Sequence, residues 1–202
     1  MINQIKNICV FASSSNFLDE VYYKDARELG LLIGKNDCNI VYGGSKLGLM
    51  YTCAGAVKEE GGKIIGIMPE RIANFGCANP EDCDEFILTS GMRERKAKLD
   101  ELSDAVIALA GGFGTLEELS EIIVQKQLGY SNKPIVLLNT DGFYNDLLNF
   151  FETIIHKNFA KENSRSIFFV AKTPQEAIEY IKNYKAEDIG MKFVERKLFS
   201  KN

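Results

Sequence analysis

The sequence predicts a Rossmann-like, doubly wound α/β domain, with a mainly parallel sheet of about seven strands and helices on both faces. Two observations carry this. Short apolar runs alternate with longer segments of helical character along the 202-residue chain, the pattern of repeated βαβ units. Several of the runs are apolar without alternation, as parallel strands covered on both faces are.

In order, the strand candidates are residues 8–12, 39–42, 63–68, 85–89, 105–110, 134–138 and 167–170. The helix candidates between and after them are residues 18–35, 47–60, 93–103, 115–129, 143–158 and 174–184. The first strand ends at three serines, the second at a glycine pair and the fifth at a glycine cluster. The last helix opens on Thr173-Pro174, an N-cap followed by proline at the first helical position. Residues 70–84 contain Asn79-Pro80 and no clear period, and read as a loop, either a lid facing a ligand or a surface excursion. One nucleotide-binding domain is expected over residues 1–202, with a core at 8–184 and a tail at 185–202 that is either a docked helix or frayed.

Composition narrows the function. A net charge of −4 argues against nucleic acid as a partner. The start of the chain leads straight toward a strand without a signal-peptide core, and no apolar run is long enough to span a bilayer, so a cytoplasmic protein without a membrane partner is expected. The five cysteines, Cys9, Cys38, Cys53, Cys77 and Cys83, form no metal-ligand pattern, and free thiols are expected. The single histidine, His156, lies in a late helix, so a catalytic triad or a multi-histidine metal site is not expected.

Right-handed crossovers bring strand C-termini to one edge of such a sheet, where ligands bind. Four clusters fall there. Ser13-Ser14-Ser15 can hold a phosphate or ribose, or simply cap a helix. Tyr42-Gly43-Gly44-Ser45-Lys46-Leu47-Gly48 is neither a P-loop nor a good dinucleotide fingerprint, and is either a ligand turn or a tight helix-packing turn. Arg93-Glu94-Arg95-Lys96 puts cations at a helix start, against the macrodipole. That suggests anion binding by Arg95 and Lys96; the alternative is a solvated face with Lys96 paired to Asp100. Finally, Gly111-Gly112-Phe113-Gly114-Thr115 should cradle a phosphate at a helix N-terminus, with Glu117 and Glu118 expected in the first turn.

These residues resemble the Lonely Guy (LOG) family of cytokinin riboside 5′-monophosphate phosphoribohydrolases. Gly111-Gly112-Phe113-Gly114-Thr115-Leu116-Glu117-Glu118 is similar to its Pro-Gly-Gly-x-Gly-Thr-x-x-Glu signature, and Met92-Arg93-Glu94-Arg95-Lys96 to its Met-x-x-Arg-Lys element. Val41-Tyr42-Gly43-Gly44 with Gly48-Leu49-Met50 resembles its second-strand turn. The resemblance implies that Arg95 and Glu118 are catalytic. It implies substrate contacts at Ser14, Ser15, Gly43, Gly44, Lys96, Gly111, Gly112, Gly114, Thr115 and Glu117. Ala110 stands where the signature has proline, Ser13 where a glycine is usual, and residues 70–84 are unlike typical members.

The implied reaction is hydrolysis of the N-glycosidic bond of a purine nucleoside 5′-monophosphate, giving free base and ribose 5-phosphate, with no metal or redox cofactor. The resemblance also implies a homodimer or higher homo-oligomer with the site near the subunit interface. An AMP nucleosidase, or a nucleotide-binding or sensing module without turnover, are the alternatives. An older description of the family as lysine decarboxylase-like has no visible pyridoxal-phosphate site behind it here.

Overall fold

In a computed structural model, which describes residues 5–186, the chain forms one seven-stranded sheet in the order β4-β3-β2-β1-β5-β6-β7. The strands are β1 (Asn7–Phe11), β2 (Asn39–Tyr42), β3 (Ile64–Pro69), β4 (Glu85–Thr89), β5 (Ala105–Ala108), β6 (Ile135–Leu138) and β7 (Phe169–Ala171). Every adjacent pair is parallel. The helices are α1 (Glu20–Lys35), α2 (Gly48–Glu59), the single turn α3 (Glu70–Ile72), α4 (Met92–Glu101), α5 (Phe113–Gln127), α6 (Asn145–His156) and α7 (Pro174–Asn183). None of the described helices is long and apolar enough to cross a membrane. Residues 1–4, and the expected tail from residue 187 onward, lie outside the described residues.

The unalternating strands are explained by burial on both faces. Ile8 and Val10 of β1 join the core shared with α1, α2 and α7; Cys9 and Phe11 join the core beneath α4, α5 and α6. Alternate residues of one apolar run thus feed two separate cores, as the pleat of a strand requires. α1 and α2 pack closely because Gly30 leaves room: a Cβ there would lie 2.3 Å from the Cys53 carbonyl oxygen. The N-cap at Thr173 is present, its hydroxyl accepting from the Glu176 N–H at 3.2 Å. His156 lies on the surface, and the five cysteines are free, with Cys9, Cys38 and Cys53 buried.

Residues 70–84 are more ordered than their composition suggests. After α3 the chain makes a wide turn over Ala73–Cys77, with Gly76 at φ 77°. It then bridges back to the β2–α2 turn: Lys46 N–H donates to the Cys77 carbonyl at 2.9 Å, and Asn79 N–H to the Gly44 carbonyl at 3.0 Å. The buried Asn79 amide also donates to the Tyr42 hydroxyl at 3.3 Å. Backbone pairing to a distant turn, rather than any hydrophobic period, holds this segment in place.

The strand order defines the ligand edge. From β1 the chain steps outward through β2, β3 and β4, then returns to place β5 on the other side of β1. The crevice at such a switch point opens between the C-terminal ends of β1 and β5. Ser13 N–H donates to the Ala110 carbonyl at 3.2 Å, tying together the two segments that leave those ends. A proline at position 110 would offer the same carbonyl, so alanine keeps this tie.

Candidate active site

A cleft of about 450 Å³ opens at this switch point. Its polar side is built from Ser13, Ser14 and Ser15 after β1, Arg95 of α4, and Gly112, Gly114, Thr115 and Glu118 of α5. The same cleft has an apolar wall that includes Leu47, Met50, Met68, Pro69 and Ile72, and Cys77 also lines it.

Arg95 and Glu118 meet in the cleft. Arg95 Nη1 donates to Glu118 Oε1 at 2.5 Å, and the two side chains are 11% and 9% exposed. Arg95 Nε donates to the Ile67 carbonyl at 3.2 Å, which fixes the plane of the guanidinium. Gly43 makes this approach possible, since a Cβ there would come within 2.4 Å of Arg95 Nη2. Burial raises the Glu118 carboxyl above the usual carboxylate range; the Arg95 charge and hydrogen bond oppose that rise. A buried carboxyl paired with one cation is costly to the fold and useful to chemistry.

The start of α5 faces the same space. Gly112 is its N-cap, a residue with no side chain to cap the helix itself. The first intrahelical donor is Leu116, whose N–H reaches the Gly112 carbonyl at 3.0 Å. The N–H groups of the preceding residues therefore have no partner within the helix, and with the helix dipole they form an anion-binding end.

The structure sorts the expected site residues. Arg95, Glu118, Ser14, Ser15, Gly43, Gly112, Gly114 and Thr115 line the cleft. Gly44, Lys96, Gly111 and Glu117 do not. Gly44 turns at φ 70° against Phe86 and the backbone of β3, and Gly111 packs against the Thr115 side chain. Lys96 pairs instead with Glu117 and Glu121 of α5. Lys96 therefore does not pair with Asp100, whose carboxylate instead meets Lys133 Nζ at 2.6 Å. Nor do Glu117 and Glu118 lie in the first turn of α5. The helix begins at Phe113, earlier than its hydrophobic pattern suggests, and its first turn carries no acidic residue. Glu118 thus sits one turn in, buried against Arg95, rather than on the dipole.

The serines divide their hydroxyls. Ser13 Oγ accepts from Ser15 N–H at 3.1 Å and Ser15 Oγ from Phe17 N–H at 3.2 Å, so local turn formation occupies both. The apolar wall was not singled out from the sequence. The signal was present: Met68-Pro69 ends a strand, and the rule that places the other clusters on the sheet edge places these residues there too. A pyridoxal-phosphate enzyme needs a lysine in reach of the cofactor, and none of the residues lining this cleft is a lysine.

Comparison with known proteins identifies relatives of the whole chain. A family model described as "Possible lysine decarboxylase" matches residues 50–181. A probable cytokinin riboside 5′-monophosphate phosphoribohydrolase of Oryza sativa subsp. japonica is 39% identical over 182 residues, covering 90% of this chain and 74% of its own. A cytokinin riboside 5′-monophosphate phosphoribohydrolase of Arabidopsis thaliana is 39% identical over 189 residues, covering 94% and 82%. Among solved structures, the molybdenum cofactor binding protein of Rippkaea orientalis superposes with a TM-score of 0.67 at 27% identity, covering 88% of this chain and 96% of its own. The Moco carrier protein of Chlamydomonas reinhardtii does so with a TM-score of 0.67 at 25% identity, covering 88% and 96%. The chain therefore belongs to the Lonely Guy family, whose family model carries the description of a possible lysine decarboxylase.

Proposed function

We propose that this protein hydrolyses the N-glycosidic bond of a cytokinin-type purine nucleoside 5′-monophosphate, releasing the free base and ribose 5-phosphate. The observation that carries the reading is the buried Arg95–Glu118 pair beside the open N-terminus of α5. The helix start holds the 5′-phosphate, with Gly112 and Gly114 allowing its close approach and Thr115 at the same rim. That anchor brings the ribose toward Glu118. As the bond from C1′ to the base breaks, positive charge develops on the sugar, as in other glycosidic cleavage. The Glu118 carboxylate stabilises that charge and accepts a proton from the water that adds to C1′; that proton then passes to the departing base nitrogen, which regenerates the carboxylate. Arg95 keeps its proton, because a guanidinium is too weak an acid to give it up, and acts by holding Glu118 ionised and oriented.

The apolar wall of Met50, Met68 and Ile72 favours a purine with an apolar N6 substituent over plain adenine. The reading includes a homodimer. The outer face of α5, beside the cleft, exposes Phe113 at 91% and Val124 at 47%, an apolar surface of the kind that subunit contacts cover.

The test is direct. Purified protein is incubated separately with isopentenyladenosine monophosphate and with AMP, and free base and ribose 5-phosphate are quantified. Release from the prenylated nucleotide, faster than from AMP, is the expected result. Faster release from AMP would make the protein an AMP nucleosidase. Tight binding of either nucleotide without release would replace hydrolysis by a nucleotide-binding or sensing role without turnover.

A further inference from the structure

Beside the pair in the cleft, a second set of ion pairs joins α4 to α5. Lys96 follows Arg95 on α4, and its ammonium lies between the carboxylates of Glu117 and Glu121 on α5. The lysine side chain is 18% exposed, against 53% for Glu117 and 36% for Glu121. Glu121 Oε2 is buried, and the Lys96 ammonium in contact with it is the charge that compensates it. A void of about 10 Å³ lies between Phe11, Lys96, Leu99, Glu118, Glu121 and Ile122. At most about one water fits such a space. Lys96 and Glu121 therefore share this void with Glu118, and neither of them lines the cleft.

We infer that Lys96 is a positioning residue for the reaction, which engages Glu117 and Glu121 so that their charges do not act on Glu118, and that it does not contact the substrate. The inference rests on the hydrolase reading for its kinetic consequences, but not for its electrostatic ones.

The argument is one of neighbours. The charged or titratable groups around Glu118 are Arg95 and Lys96 from α4, Glu117 and Glu121 from its own helix, and the Cys9 thiol of β1 beneath it. Burial pushes the Cys9 thiol up, so it stays neutral and adds no charge. Two carboxylates within a turn of Glu118 would each favour its protonated form. Among the described residues Arg95 and Lys96 oppose them, and Arg95 is already bonded to Glu118 itself. Lys96 is thus the cation that balances the other two acids. Both carboxylates in turn hold its proton firmly, raising its pKa through the hydrogen bonds they accept.

Two substitutions with opposite expected signs test this. In Lys96→Met the cation is lost, and the acid limb of the kcat profile should move to higher pH. A shift of roughly one pH unit is the scale for one unit charge several ångströms away at the effective dielectric of a protein interior. The KM should stay near the wild-type value, and kcat should recover on the alkaline side of the shifted limb. Lys96→Arg should restore the wild-type limb. In Glu117→Gln, on the α5 face that the homodimer reading covers, the limb should move to lower pH in protein whose oligomeric state matches the wild type.

The same shifts are read without turnover by ¹³C NMR titration of the Glu118 carboxyl in the unliganded protein. A Lys96→Met variant whose KM rises while its limb stays put would make Lys96 a substrate ligand and overturn the inference. So would a loss of thermal stability with no shift in either the profile or the titration. A wild-type protein that releases no base would sink the hydrolase reading, and the carboxyl titration would still decide for or against Lys96.

Discussion

The β2–α2 turn and the β5–α5 turn have the same outward character: a strand, a run of glycines, and the start of a helix at the ligand edge of the sheet. Their helix starts differ in what occupies them. At α2 the Gly48 N–H donates to Asn16 Oδ1 at 2.8 Å. The Leu49 and Met50 N–H groups reach the Ser13 carbonyl at 3.0 and 3.4 Å. The loop after β1 therefore fills the anion-binding end of α2. At α5 the N-cap Gly112 has no side chain to cap the helix itself, and Gly112, Gly114 and Thr115 face the cleft. Glycine-rich turns before helices are thus not equivalent. Glycine permits close approach in both, but the approaching group is the chain's own backbone at α2 and is left to a ligand at α5.

The largest effect expected from this contrast lies at Glu118, one turn into the open helix. Glu118→Gln keeps the shape and removes the charge. Turnover should fall by at least about 10²-fold, the size seen when a general base or key electrostatic group is lost. Steady-state assay of base release, with thermal denaturation as a fold control, measures it. Near-normal turnover in a folded variant would remove Glu118 from the mechanism, and with it the claim that the open helix start is the reacting end.

Much of this was legible in the sequence, for definite reasons. Runs such as Ala105-Val106-Ile107-Ala108 and Ile135-Val136-Leu137-Leu138 are parallel strands because both of their faces are buried, and an apolar run between helical segments says so directly. The serine and glycine clusters were legible because strand C-termini must share one edge. The pairing of side chains was less so. That Lys96 reaches Glu117 and Glu121 rather than Asp100 depends on how α4 lies against α5, which no spacing along one helix reveals. The same holds for residues 70–84, placed by backbone hydrogen bonds to the β2–α2 turn. Whether a helix start is filled or open is also a tertiary fact. The Asn16 side chain that closes α2 belongs to another loop, 32 residues away.

A pair of glycine substitutions separates the two turns by a smaller but cleaner effect. Gly48 has φ 60°, and a Cβ there would lie 2.6 Å from the carbonyl oxygens of Ser13 and Ser15. Gly48→Ala should cost the fold at least about 2 kcal/mol, from left-handed strain and a backbone clash. At Gly114 an added Cβ meets nothing within 4 Å. In Gly114→Ala stability should hold or rise, by up to about 1 kcal/mol, because alanine is the better helix former. Its methyl group would intrude on the cleft, and KM should rise about tenfold, a change of ~1.4 kcal/mol in binding. Denaturant unfolding and KM measured on both proteins give four numbers. Should Gly114→Ala bind substrate normally, the phosphate would not sit against the α5 start.

The smallest effect tests the closed turn from outside. Asn16 is exposed, and its side chain caps α2 through Gly48 N–H. Asn16→Ala removes that cap and leaves the Ser13 carbonyl in place, so stability should fall by about 1 kcal/mol, the usual value of a capping side chain. Because α2 offers no donors to the ligand in this arrangement, KM and kcat should both stay at wild-type values. Were KM to change as much as in Gly114→Ala, the freed α2 start would be taking part in binding. The two turns would then differ only in degree, with Asn16 acting as a gate on a second anion-binding end. An unchanged KM with the expected loss of stability instead assigns the two helix starts separate tasks, one holding the fold together and the other holding the phosphate.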